Sequence, residues 1–214
     1  MPNWCSNFLR VEGNPTEMKR FADKCIVEIK DKPGEYEFTM GGILPLPTEL
    51  KETTSPVMWR GEKDDTEGEV AFQKHNQYLK ETYGYDNWYD WQTHTWGTKW
   101  DAETVNIDSD DLTLGIAYNT AWSPNEPWVK YAAQQFPELK FYLSYEEPGC
   151  NFCGLLVCED GEVSEDSTGP LEWQDDDERE VYYDSEKELY RYTDTGELIE
   201  DGDFCPNQVN PYAY

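Results

Sequence analysis

A chain of 214 residues with 45 Asp and Glu against 17 Lys and Arg carries a formal charge of −28. That balance excludes direct binding of DNA, RNA or an anionic membrane, because phosphate neutralisation needs Lys and Arg. Only 37% of the residues are hydrophobic, yet nine Trp and fifteen Tyr can bury enough surface for a core, so global disorder is excluded too.

The length suits one large domain, or one domain with a substantial extension. No apolar run reaches membrane-spanning length, and residues 1–15 lack the apolar stretch of a secretory leader. The expected setting is cytoplasmic, with reduced thiols.

In "NWCSNFLRVEG" (3–13), Cys5, Leu9 and Val11 alternate with polar positions, which predicts a strand; Asn7 interrupts its apolar face. A helix follows, with Asn14 as cap, Pro15 in the first position and Glu17 three after the cap. Met18, Phe21, Ala22, Cys25, Ile26 and Ile29 then form one continuous helical face. Residues 34–50 read as a short strand and a Pro-punctuated loop, and 51–68 as irregular. A second helix is expected near 69–83, with Ala71, His75, Tyr78 and Leu79 on one side.

The tract "DNWYDWQTHTWGTKWDAETVNID" reads as strand-like, ending at Val105 and Ile107. Leu112, Leu114, Ile116 and Tyr118 alternate in the next strand. A second capped helix is expected from Ser123, with Pro124 in its first turn and Glu126 three after the cap. Its apolar face is Trp128, Val129, Ala132, Ala133 and Phe136, and Pro137 ends it. Phe141, Leu143 and Tyr145 mark another strand, and a turn at Gly149 leads to "NFCGLLVCED".

These elements predict an α+β chain: a βαββαβ antiparallel sheet with two helices on one face, the ferredoxin-like arrangement. The expected core is 1–160 with a helical insertion at about 48–88. Residues 161–214 are expected to form an acidic, aromatic-rich extension packed on the core, a β-hairpin region with a turn at Asp194-Thr195-Gly196.

Four stretches in order, "MPNWCSNFLRVEG", "WGTKWDAE" (96–103), "NTAWSPNEP" (119–127) and "FPELKFYLSYEEPGCNFCG" (136–154), resemble the YubB-type ferredoxin-like family carried on phages and plasmids. The resemblance covers roughly residues 1–160 and implies the ferredoxin-like fold and a mobile-element origin. It implies no catalytic residues, and the acidic region after 160 departs from it.

No Walker loop, nucleophile elbow or G-x-G-x-x-G occurs, so no enzymatic activity and no cofactor are expected. Trp91, His94, Trp96, Lys99 and Trp100 offer an alternative ligand pocket, in which the rings stack a base and His94 serves acid–base chemistry. The blander and favoured reading packs these aromatics against the insertion, with Gly97 in a turn. Cys150, Cys153 and Cys158 leave only distant Cys205 to complete a metal or cluster site. The thiols therefore read as small buried hydrophobes, and no metal is expected. "DDDEREVYYDSE" lacks the central Gly of a calcium loop.

The charge itself remains to be explained. Solubility of a small domain needs a net charge of only about 2–8. Twenty-eight charges match about 48 Å of duplex DNA, and a chain of this length spans roughly 45 Å. Carboxylates standing in for phosphates would fill the groove of a basic nucleic-acid-binding host protein, with interleaved aromatics fixing their pattern. The expected partner-binding residues are Asp175, Asp176, Asp177, Glu178, Glu180, Asp184, Glu186 and Glu188, with Glu200, Asp201 and Asp203 as a second cluster.

Overall fold

The computed structural model describes residues 3–62, 64–110, 112–171, 181–184 and 189–192, the last two stretches as backbone. Contacts divide the chain into two compact units, 1–168 and 169–214.

Strand β1 (Trp4–Glu12) buries Cys5, Asn7, Leu9 and Val11 on one face. The polar interruption at Asn7 is fully bonded there: its Nδ2 donates to the Cys5 carbonyl and to Thr120 Oγ1, each at 2.8 Å. Helix α1 (Pro15–Cys25) begins as its sequence directs, with Asn14 Oδ1 accepting the Glu17 amide at 3.0 Å. It buries Met18, Phe21 and Cys25. The expected helical face stops short of Ile26 and Ile29, however. The Ile26 amide still donates to the Ala22 carbonyl, but the chain turns extended into β2 (Ile26–Glu28). β-branched Ile26 and Val27 favour that turn.

β2 pairs antiparallel with β3 (Tyr36–Phe38) as a two-stranded sheet of its own. A 3₁₀ turn (Met40–Gly42), α2 (Thr48–Lys51), α3 (Thr66–Tyr83) and α4 (Trp88–Thr95) follow. The inserted material thus runs from β2 through α4, wider than 48–88. α3 has both end signals, Asp65 accepting the Gly68 amide and Gly84 in the left-handed region. Its inward side holds Leu79 with half-buried Phe72, Asn76 and Tyr83, one position round from the expected side; Ala71, His75 and Tyr78 are exposed.

α4 corrects the strand reading of the Trp-rich tract. Asn87 caps it by accepting the Asp90 amide, and Trp91 and Gln92 turn inward. Helical spacing there outweighs the β propensity of the aromatics.

β4 (Glu103–Ser109), β5 (Thr113–Ala121), α5 (Glu126–Gln135), β6 (Lys140–Glu147), β7 (Phe152–Glu159) and β8 (Glu162–Pro170) complete the unit. Leu114, Ile116 and Tyr118 alternate inward on β5 as expected, while Leu112 precedes the strand and is exposed. α5 starts later than Ser123 and Pro124 suggest. Ser123 Oγ is engaged on the Gly97 carbonyl, and Asn125 precedes the helix without capping it.

The sheet order is β4-β5-β1-β6-β7-β8, with β1 antiparallel to both β5 and β6. β1, α1, β4, β5, α5 and β6 thus make the ferredoxin-like βαββαβ core. The core's second strand is β4, not the short strand over 36–38, and β7 and β8 widen the sheet beyond it. The expected boundary at 160 falls in the turn between β7 and β8.

Phe21 of α1 meets Phe141 at 5.5 Å between ring centroids, and Trp128 of α5 meets Phe38 edge-on at 5.3 Å. Both helices therefore lie on the face of Leu9, Tyr118 and Phe141.

In the second unit, β9 (Val181–Asp184) pairs antiparallel with β10 (Leu189–Tyr192), with Asp184 opposite Leu189. β9 and β10 both precede the turn expected at 194–196, so this pairing is not the expected hairpin. Asp194-Thr195-Gly196 lie outside the described residues.

Candidate functional site

A concavity of the first unit lies between α1, the β2–β3 hairpin and the β4–β5 edge of the sheet. It is an open groove of about 1130 Å³. Met18 and Ala22 line it from α1, Ile26 and Ile29 from the segment that leaves the helix, and Ile107 and Leu114 from the sheet. Tyr36 and Val105 are 55% and 53% exposed, so its apolar surface continues into solvent.

Local chemistry fixes each wall. Across the hairpin the Ile29 amide donates to the Glu35 carbonyl at 2.8 Å, and the Gly34 amide donates to Glu28 Oε1. The hairpin is tied down at the other end, where the Thr39 amide donates to the Cys25 carbonyl and the Phe38 amide to Thr104 Oγ1, both at 2.8 Å. Asp101 reinforces this closed end by accepting the Met40 amide at 2.8 Å and the Thr39 hydroxyl at 2.6 Å. β4 carries a bulge between Thr104 and Asn106, which leaves Val105 outside the ladder. At the open end Asp110 accepts the Leu112 and Thr113 amides at 2.8 and 2.7 Å. Those bonds, the Leu112 amide first, hold its carboxyl below the ordinary range.

The rim is anionic. Its two lysines are occupied, Lys19 by Asp23 at 2.6 Å and Lys32 by Glu35 at 3.1 Å. Glu37 and Glu103 line the groove with no ion pair among the described residues. No sequence motif announces this site. Its only sequence signal is that Ile26 and Ile29 continue an apolar period past the point where the helix stops.

Of the expected acidic strip, Asp184 ends β9, where the backbone is described. Asp175, Asp176, Asp177, Glu178, Glu180, Glu186, Glu188, Glu200, Asp201 and Asp203 lie outside the described residues.

The expected ligand cluster is spread over interior and surface. Trp91 and Trp96 are buried and meet edge-on at 5.7 Å, and Trp96 Nε1 donates to the Leu44 carbonyl at 2.8 Å. His94 is exposed, stacks on Tyr85 at 5.3 Å and places Nδ1 2.7 Å from the Asp90 carbonyl. Lys99 lies over the exposed Trp100 ring at 4.5 Å, and Trp100 leans on Trp4 at 6.4 Å. None of the five lines the groove. Gly97 makes the expected turn, at φ +87°. A Cβ there would meet Pro127 Cδ at 2.6 Å and the Pro124 carbonyl at 2.8 Å.

The thiols divide. Burial suits Cys158, whose pKa desolvation raises, and Cys5, pushed up to about 12 chiefly by burial. Cys150, by contrast, is exposed in the β6–β7 turn, which corrects its reading as a buried hydrophobe. Cys153 is half-buried and Cys205 lies outside the described residues. Hydrogen bonding to Glu147 raises the Cys150 pKa, opposite to what an activated thiolate needs. Glu147 is itself buried and accepts the Gly149 amide at 3.0 Å, bracing the turn. Among the described residues no group of three or more His, Cys, Asp or Glu is arranged to hold a metal, and no helix is long and apolar enough to cross a membrane.

Residues 95–188 match the family model described as the ferredoxin-like domain in Api92-like protein. YubB of Escherichia coli (strain K12) is 35% identical over 97 residues, which cover 42% of this chain and 66% of that relative. The crystal structure of a protein api92 from Yersinia pseudotuberculosis aligns over 79% of this chain and 98% of that one, at 12% identity and a TM-score of 0.42. The family match starts at α4, whereas the central strand of the sheet is β1, so the ferredoxin-like fold draws on residues from both ends of the first unit.

Proposed function

We propose that this chain is a non-enzymatic accessory protein of a phage or plasmid that inhibits a host nucleic-acid-binding defence factor. A restriction enzyme, a CRISPR effector or another nuclease complex fits that description. Its carboxylates occupy the basic surface that would otherwise hold phosphates. The observation that carries this reading is the charge: 45 acids against 17 cations, net −28 in 214 residues. Such an excess opposes folding by self-repulsion and far exceeds what solubility requires. An anionic surface steers a basic partner in and competes with DNA or RNA for the same groove. The mobile-element setting is supported by the family resemblance of the sequence.

The test is competition. A basic nuclease complex loaded with labelled duplex DNA is titrated with the full chain and with a variant carrying Asp175→Lys, Asp176→Lys, Asp177→Lys and Glu178→Lys. The wild-type chain should release the DNA, and the variant, with an unchanged melting profile, should need a far higher concentration. Equal release by both would remove the strip 175–178 from the mechanism. No release from any of a panel of restriction and CRISPR complexes would sink the proposal.

A further inference from the structure

We infer that the groove beside β4 receives an extended segment of a protein partner, alternating apolar and basic residues, which adds a strand to the sheet. The basic character of the partner rests on the functional reading above; the mode of docking does not. β4 ends the six-stranded order, and among the described residues its main-chain ladder runs to β5 alone; the β2–β3 hairpin closes its outer edge at Thr104, where the Phe38 amide donates to Oγ1, and the edge beyond is unpaired among those residues. A strand edge of that kind is a template for an incoming strand.

Register decides what the incoming strand must look like. Thr104, Ile107 and Ser109 sit opposite Tyr118, Ile116 and Leu114, so they face the helix side and the groove. Glu103, Asn106 and Asp108 sit opposite Asn119, Ala117 and Gly115, so they alternate to the other face, Glu103 and Asn106 still bordering the groove. A strand laid beside β4 would alternate in the same way. One set of its side chains would enter a groove walled by Ala22, Ile26 and Ile29. The other would emerge beside Glu103 and Asp108, neither of which has an ion pair among the described residues. The first set must be apolar and the second basic. A second copy of this chain is the wrong occupant, because pairing β4 with β4 would bring like charges together across the new ladder.

The probe is a blocked six-residue peptide alternating lysine and valine, titrated into the full chain and followed by amide shifts and by anisotropy of a labelled peptide. Shifts should concentrate in 103–109 and 26–37. Methylating alternate peptide nitrogens on the side facing β4 keeps every charge but should weaken binding more than tenfold. Glu103→Lys with Asp108→Lys, both exposed, should weaken it about tenfold with no change in melting. Ile29→Glu, at the groove wall, should do the same by blocking the apolar set. Equal binding of the methylated peptide, shifts spread over the whole acidic surface, or no binding would each overturn the groove and leave the competition reading untouched. Shifts in 103–109 on concentrating the chain alone would assign the edge to a second copy and overturn it as well. Docking in the groove by a chain that releases no DNA would instead sink the competition reading and leave the groove standing.

Discussion

On the helix side of β5, Leu114, Ile116 and Tyr118 are buried, and among the described residues every buried side-chain polar atom is paired. Tyr118 donates its hydroxyl to Asn125 Oδ1 at 2.7 Å, and Trp128 donates Nε1 to the Met40 carbonyl at 2.9 Å. One strand away, β4 is bulged and mostly exposed, and its Glu103 and Asp108 have no ion pair among the described residues. Adjacent strands of one sheet therefore differ in kind. The first region holds the fold through apolar burial and satisfied polar groups. The second leaves apolar and anionic side chains exposed, Val105 among them.

The sharpest way to break that division is to damage the first region. Trp128 is fully buried, with Phe21 and Phe38 against its ring. Trp128→Ala should cost about 3–5 kcal/mol, read by urea denaturation. A loss under 1 kcal/mol would show that the core is not seated there.

Next comes Gly97→Ala, which puts a side chain on a left-handed residue and against the Pro124 carbonyl. It should cost about 2 kcal/mol, and an unchanged melting temperature would contradict the turn. Asn125→Ala strands the buried Tyr118 hydroxyl and should cost about 1–3 kcal/mol, with Tyr118→Phe largely removing the difference in a double-mutant cycle.

The smallest effect belongs to the β4 side. The Asp110 carboxyl is held below its ordinary value, so its support of the β4–β5 turn is complete above the unfolded carboxyl pKa and is lost as pH falls through the folded one. The Leu112 and Thr113 amide shifts should titrate together with a midpoint below the usual Asp value of about 3.9. A midpoint at or above that value would contradict the two bonds.

How much was legible in the sequence can be seen in the two helix starts. Asn14-Pro15 and Ser123-Pro124 carry the same local signal, each with Glu three after the cap. The first behaves as written, because nothing distant competes for Asn14 Oδ1. The second does not, because Ser123 is taken by Gly97 and Asn125 by Tyr118, and α5 starts at Glu126. Local signals hold until a long-range partner claims the same side chain. The βαββαβ core was readable for that reason: its strands and helices carry their own periodicity. The groove was not, because its walls come from residues 15–37 and 102–114 and exist only once the sheet has formed. The Trp-rich tract misled because aromatic content suggested strand, while the inward turn of Trp91 and Gln92 follows helical spacing.

The central claim is that anionic charge, more than apolar contact, drives association with a nucleic-acid-binding partner. The most direct measurement is the affinity of the full chain for such a partner across a salt series. The expected result is a steep linear fall of log affinity with log salt, parallel to the fall for DNA on the same partner, as displaced counterions require. Affinity that stays level from low to high salt would contradict the claim.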